Sequence, residues 1–264
     1  MRRDEVLLSI WTLDCKIYVK TSPEGIYNFN KRRAIFSYLK IQKATIIFLQ
    51  ETYSSTEDEK LWYVEWGAKI IYLHRTTHSK GVCILLNRSS PLNRSSSLNL
   101  SSIQADPEGR FLIAKLTIED KYFFITDICG PNNCHDQDDF IKTLSQQVMS
   151  KTDTSKVIIS VDWNITLNRI DKLSGLPWKA TSGRNTLIDH MEELNLTDIY
   201  RELHPNSKSF TYVSKLLNLK LRIDYFLFHT RFFAIGPRLW KFNDTLLEDN
   251  NYKGLIAFYY PQIL

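Results

Sequence analysis

Three acidic residues stand where apolar, strand-like runs end. Glu51 closes the run Thr45-Ile-Ile-Phe-Leu-Gln50, Asp162 closes Val157–Val161, and Asp224 lies in the run that begins near Leu221. A carboxylate at the end of a buried strand is costly unless it faces a cleft, a cation or a hydrogen-bond partner. Any one of the three alone reads more simply as the cap of a turn. Drawn together they would make a site of hard oxygen ligands suited to a divalent cation.

The elements that must position them are legible in the apolar period. Val6–Trp11, Thr45–Gln50, Ile70–Leu73, Gly81–Leu86, Phe111–Ile118, Tyr122–Cys129, Val157–Val161 and Leu221–Phe228 read as strands, several of them apolar on both faces. Lys31–Lys43, Glu57–Trp66 and Asp138–Met149 read as amphipathic helices, and Ser182 as the cap of another running to Asn195. Residues 88–105 suggest a surface loop with one edge strand. The pattern implies an α+β fold, two sheets packed face to face and covered outside by helices. Residues 1–237 form that domain, and the tail 238–264 reads as a C-terminal appendage.

Bulk properties narrow the surroundings. The chain has 264 residues, 43% hydrophobic and 24% charged, with a net charge of +5 from 34 basic and 29 acidic residues. That excess permits a polyanionic partner without demanding one. The four cysteines, Cys15, Cys83, Cys129 and Cys134, form no zinc pattern, and Cys83 suits a buried reduced thiol. A reducing intracellular compartment, nuclear or cytoplasmic, is the expectation. No run approaches the length of a membrane span, and nothing points to a small-molecule cofactor.

Each carboxylate sits in a local phrase: Leu49-Gln50-Glu51-Thr52, Val161-Asp162-Trp163-Asn164, and Arg222-Ile223-Asp224-Tyr225-Phe226. Between them stand Gly81-Val-Cys-Ile-Leu, Gly130-Pro131-Asn132 and Phe210-Thr211-Tyr212. Six phrases in this order resemble, over about residues 6–237, the endonuclease domain of LINE-type retrotransposons, in the exonuclease–endonuclease–phosphatase superfamily. The resemblance implies a four-layered αββα sandwich of two mostly antiparallel sheets, with the site at one rim. It also implies Mg²⁺ or Mn²⁺ as cofactor and DNA as partner. Position by position, Glu51 resembles the metal-binding glutamate and Asp162 the aspartate that orients the attacking water. Asn164 resembles its companion for the phosphate, Thr211 a residue near the DNA, and Asp224 the aspartate that pairs with a catalytic histidine. A divalent ion would offset phosphodiester charge, a carboxylate would hold water, and an amide would donate without adding negative charge. Lys80, Arg88, Arg94, Lys179 and Arg184 lie in loops near the expected rim, suited to phosphate contact or simply to solvation.

The pattern also departs from the family. Where the family places an asparagine near the metal, this chain reads Ser9-Ile10-Trp11-Thr12-Leu13-Asp14. Cys129 replaces the tyrosine of an Asn-Ile-Tyr-Gly-Pro-Asn phrase, and Val161 stands where glycine is usual. The terminal Ser-Asp-His phrase is missing: Ile235-Gly236-Pro237 runs almost directly into Leu239-Trp240-Lys241-Phe242-Asn243, as if by internal deletion. His229, five residues after Asp224, falls on the opposite strand face. His74 and His78 read as surface residues. Two readings follow: a metal-dependent DNA endonuclease with reduced or lost activity, and a catalytically inactive nucleic-acid-binding remnant.

Overall fold

Alternating inward and outward side chains explain why so many strands are apolar throughout. In Ile46–Gln50 (β2), Ile46 and Phe48 join a core between two sheets, while Ile47 and Leu49 join a second core beneath helices. The computed structural model describes residues 8–14, 26–41, 44–75, 80–87, 98–118, 121–174, 177–214, 216–231, 241–242 and 255–259. Within them, two six-stranded sheets pack face to face, with helices on both outer faces. This is the four-layered α+β sandwich expected, and no closed barrel.

The first sheet contains Leu8–Asp14 (β1), β2, Ile70–Leu73 (β3) and Val82–Leu86 (β4). Helices Phe29–Ile41 (α1) and Glu59–Trp66 (α2) cover it, burying Ile35, Phe36, Leu39, Trp62 and Trp66. The second sheet contains Leu98–Ala105 (β5), Phe111–Ile118 (β6), Lys121–Cys129 (β7) and Val157–Asp162 (β8). Helices Cys134–Lys151 (α3) and Ser182–Glu193 (α4) cover it through Ile141, Leu144, Val148, Leu187 and Met191. Most neighbours are antiparallel; β1–β2 and β7–β8 are parallel. Among the described residues no helix is long and apolar enough to cross a membrane.

Three sequence expectations shift. Ser182 does not cap α4; Thr181 does, accepting the Arg184 amide at 3.2 Å, and the Ser182 hydroxyl instead bonds Asp138. The run from Leu221 splits. Lys172–Leu173 (β9), Tyr212–Ser214 (β11) and Leu219–Leu221 (β12) form a small sheet, and Asp224–His229 (β13) enters the second sheet beside Leu196–Asp198 (β10). The break falls at Arg222, whose buried guanidinium is drawn to Asp171 and Asp198. These strands and helix Ile199–Leu203 (α5) are too short to show a period. The tail read as an appendage contributes Lys241–Phe242 (β14) and Leu255–Tyr259 (β15), and β15 pairs antiparallel with β1. The rest of the tail, the deletion junction at 232–240, His78, Arg88 and Arg94 lie outside the described residues.

Candidate active site at the sheet rim

Strand register brings the carboxylates together. Asp162, the last residue of β8, pairs with Asp224, the first of β13, and lies beside Cys129, the last of β7. Glu51 follows β2 in the opposite sheet, and the Cys129 thiol donates to Glu51 Oε1 at 3.2 Å. The chain of contacts Glu51–Cys129–Asp162–Asp224 therefore crosses from one sheet to the other at a single rim.

Asn164 joins this rim through a left-handed backbone, φ 53°, a conformation asparagine tolerates better than most residues. Its amide donates to Asp162 Oδ1 at 2.9 Å, and its side-chain Nδ2 to the Gly130 carbonyl at 3.1 Å. Gly130 in turn donates its N–H to the Asp162 carbonyl at 2.7 Å. A Cβ at Gly130 would meet Trp163 O at 2.9 Å, so the two loops approach this closely only with glycine there. Gln137, buried in the first turns of α3, donates to Pro131 O at 3.1 Å and reaches Asn164 O at 3.5 Å. Val161, where the family prefers glycine, is wholly buried within β8.

Thr211 also arrives here. Its hydroxyl oxygen accepts the amides of Ile223 at 3.0 Å and Asp224 at 3.2 Å. Burial pushes the Asp224 carboxyl up to about 6, with the Thr211 hydroxyl and the Arg222 charge pulling it back. Behind Asp224, Arg222 spans Asp171 (2.8 Å) and Asp198, and Arg201 adds a second cation to Asp171. Burial opposes the Arg222 charge, but Asp198, Tyr225 and Asp171 outweigh it and raise its pKa. The Tyr225 hydroxyl has its one hydrogen within reach of two carbonyls, Arg222 O at 2.7 Å and Ile165 O at 2.9 Å, and its oxygen accepts the Leu167 amide at 3.1 Å. Tyr225 thus fastens the loop after Asn164 to β13.

The backbone on the other side of the rim is strained, with left-handed φ of 50° at Glu51 and 53° at Tyr53. Two bonds hold it, Thr52 N to Gly81 O at 3.1 Å and Tyr53 N to Lys80 O at 3.0 Å. Gly81 lies under this turn at φ 90°, and a Cβ there would strike Thr52 Oγ1 at 2.6 Å. Lys80 is therefore close to Glu51 through its backbone, but its ammonium is bound to Glu108 at 3.1 Å. Arg184 donates Nε–H to Leu167 O at 2.8 Å and packs on Trp178.

Among the described histidines, His229 and His74 have other partners. His229 ends β13 opposite Leu196, five residues from Asp224 and so roughly 17 Å along the strand. His74 is not a simple surface residue. It is half-buried, bonded through Nδ1 to Ser54 Oγ at 2.7 Å and through Nε2 to Glu59 at 2.9 Å, and stacked on Tyr72. For β1 the backbone path alone is described, so the side chains of Trp11 and Leu13 lie outside the described residues.

Among the described residues no three His, Cys, Asp or Glu side chains converge as a dedicated metal cage would require. A magnesium-type ion does not require one. It takes one or two carboxylates and completes its shell with water and substrate phosphate, and Glu51 is a hard donor of that kind. Gln137, Asp171, Arg222 and Tyr225 were not singled out as site residues by sequence. Arg222 and Tyr225 flank Asp224 in its phrase, but their partners lie far along the chain.

No family model matches the chain. Over 248 residues it is 25% identical to an uncharacterized 149 kDa protein of transposon TX1 from Xenopus laevis, covering 83% of this chain. The chain spans only 18% of that protein's length. Among solved structures, an AP endonuclease from Archaeoglobus fulgidus superposes with a TM-score of 0.70 at 16% identity, covering 96% of this chain and 99% of that one. The endonuclease domain of TRAS1, a telomere-specific non-LTR retrotransposon, gives 0.63 at 12% identity, with 97% and 100% covered. The 3′ phosphatase NExo from Neisseria, bound to a product DNA hairpin, gives 0.66 at 16% identity, with 96% and 99% covered. At these identities the likeness is one of fold.

Proposed function

We propose that this chain is a DNA phosphodiesterase of the endonuclease type with impaired turnover, from the LINE-type retrotransposon branch of the exonuclease–endonuclease–phosphatase superfamily; the transposon TX1 relative and the shared fold support the reading. The observation that carries the reading is the register pair Asp162–Asp224, with Asn164, Thr211 and Glu51 at the same rim.

In this reading Asp162 holds the attacking water and accepts its proton, with one oxygen already oriented by the Asn164 amide. Asn164 lies beside the phosphate and offers a donor that adds no negative charge. Thr211 accepts the Asp224 backbone amide beside Asp162, and burial favours a proton on the Asp224 carboxyl. Glu51 would hold Mg²⁺ or Mn²⁺, which would supply charge neutralisation at the phosphoryl oxygens. Impairment is inferred from three departures: Cys129 in place of a tyrosine, Trp11 and Leu13 in place of an asparagine near the metal, and no terminal Ser-Asp-His phrase. Loss of one acid–base group alone costs about 10² to 10⁴-fold.

The second reading is a nucleic-acid-binding remnant. It is favoured by the Cys129 thiol, a weak donor that occupies Glu51 Oε1. Supercoiled plasmid incubated with the protein and Mg²⁺ separates the two. Slow nicking that disappears in Asp162→Ala supports the enzyme. Salt-sensitive DNA retention without nicking supports the remnant.

A further inference from the structure

The turn that carries Glu51 is tied to helix α2 by side chains that the proposed mechanism does not use. Glu59, the first residue of α2, bonds His74 Nε2 at 2.9 Å. His74 Nδ1 stands 2.7 Å from Ser54 Oγ, and Ser54 Oγ stands 3.2 Å from Thr52 Oγ1. Thr52 adjoins Glu51. Ser54 and Thr52 are buried, and the His74 ring stacks on Tyr72 with centroids 5.3 Å apart. The Tyr72 hydroxyl donates to the Glu59 carbonyl at 3.2 Å, so both residues of the stack hold the start of α2.

Counting hydrogens gives the chain a direction. An ionised carboxylate only accepts, so the Glu59 side chain takes the hydrogen of Nε2. In neutral His74 the other nitrogen, Nδ1, is then an acceptor, and Ser54 directs its one hydrogen there. The Ser54 oxygen is left to accept from the Thr52 hydroxyl. Thr52 Oγ1 is enclosed on another side by Gly81, where a Cβ would meet it at 2.6 Å. Such enclosure has a purpose here. Glu51 and Tyr53, on either side of Thr52, both have left-handed backbone, φ 50° and 53°, which persists only where the surroundings over-determine it. Backbone bonds to Gly81 O and Lys80 O fix the peptide groups of Thr52 and Tyr53, and the chain through His74 fixes the side chain between the two strained residues.

We propose that His74 is a positioning residue for the candidate metal site: acting through Ser54 and Thr52, it holds the turn from which Glu51 presents its carboxylate to a divalent cation. The inference rests on the reading of Glu51 as a metal ligand and adds what holds that ligand in place.

The test uses the full chain and Mn²⁺, with binding read from the loss of the free-ion electron paramagnetic resonance signal. His74→Phe keeps a ring to stack on Tyr72 but makes neither bond. His74→Gln loses the ring but offers an acceptor to Ser54 and a donor to Glu59. His74→Phe weakens Mn²⁺ binding about tenfold, the low end of the range for losing a partner behind a metal ligand, while His74→Gln stays close to the parent. Ser54→Ala, which cuts the chain one link nearer Glu51, gives the same loss as His74→Phe. Amide exchange at Thr52 and Tyr53, followed by NMR without metal, quickens in His74→Phe and not in His74→Gln. Mn²⁺ binding equal in parent and His74→Phe, or as weak in His74→Gln as in His74→Phe, overturns the proposal, the second being the order that ring packing alone would produce. Mn²⁺ binding that Glu51→Gln leaves unchanged overturns the metal reading of Glu51 instead, and the exchange at Thr52 and Tyr53 then decides whether His74 holds the turn.

Discussion

On the flank built by β8 and β13, Arg222 divides its guanidinium between Asp171 and Asp198, and Tyr225 ties three backbone groups to one hydroxyl. On the flank built by β2 and β7, a carboxyl equally buried, Asp127, receives the Gln50 amide on one oxygen, and its other oxygen has no hydrogen-bond partner among the described residues. Both flanks bury an aspartate completely, yet they treat it in opposite ways. Asp171 faces two arginines. Among the described residues Asp127 faces only neutral donors, and burial pushes its pKa well above the usual carboxylate range. A buried charge persists where cations surround it and is given up where they do not. Asp162, Asn164 and Asp224 are held by the charge-paired flank, while Glu51 depends on the flank whose buried carboxyl has its pKa pushed up by burial.

The largest expected effect is the breaking of the paired flank. Arg222→Met leaves Asp171 and Asp198 buried with less positive charge between them, which costs about 3–5 kcal/mol. Urea unfolding followed by tryptophan fluorescence measures it, and a loss below 1 kcal/mol would mean that Arg201 and solvent suffice. Tyr225→Phe comes next. It removes one hydroxyl from three buried backbone partners at about 1–3 kcal/mol. Because those partners include Ile165 and Leu167, it also loosens the loop carrying Asn164. Faster amide exchange at 165–167 than at β13 would show that the flank acts as a fastener rather than only as core.

The sandwich itself was largely open to reading from the chain. β2 and β8 are apolar on both faces and are closed by Glu51 and Asp162, so strand and layer followed from pattern, while the rim was what the family resemblance implied. What joins those ends was not legible. Arg222 meets Asp171 and Asp198, 51 and 24 residues away, and no local period encodes that distance. Lys80 looked like a phosphate contact because Glu108, 28 residues on, is invisible to local reading. Short elements such as β9 and β10 carry too few residues to express a period, so β12 and β13 merged into one expected strand. The α4 cap moved by a single residue because threonine and serine are adjacent and both can cap.

The smallest expected effect tests the neutral flank. The folded pKa of Asp127 is raised, so the stability it contributes is fully present below its unfolded value, near 4, and is lost as pH rises through the folded value. Asn cannot ionise and keeps an oxygen to accept the Gln50 amide. Asp127→Asn should therefore be nearly neutral below about pH 4 and increasingly stabilising as pH rises above it, by at most about 1.4 kcal/mol per pH unit. Thermal unfolding of both proteins across a pH series measures the difference. A difference that stays constant with pH would mean Asp127 keeps the same protonation state folded and unfolded. A difference of opposite sign would mean the folded protein holds it as a carboxylate, through cations from outside the described residues, and the contrast between the two flanks would disappear.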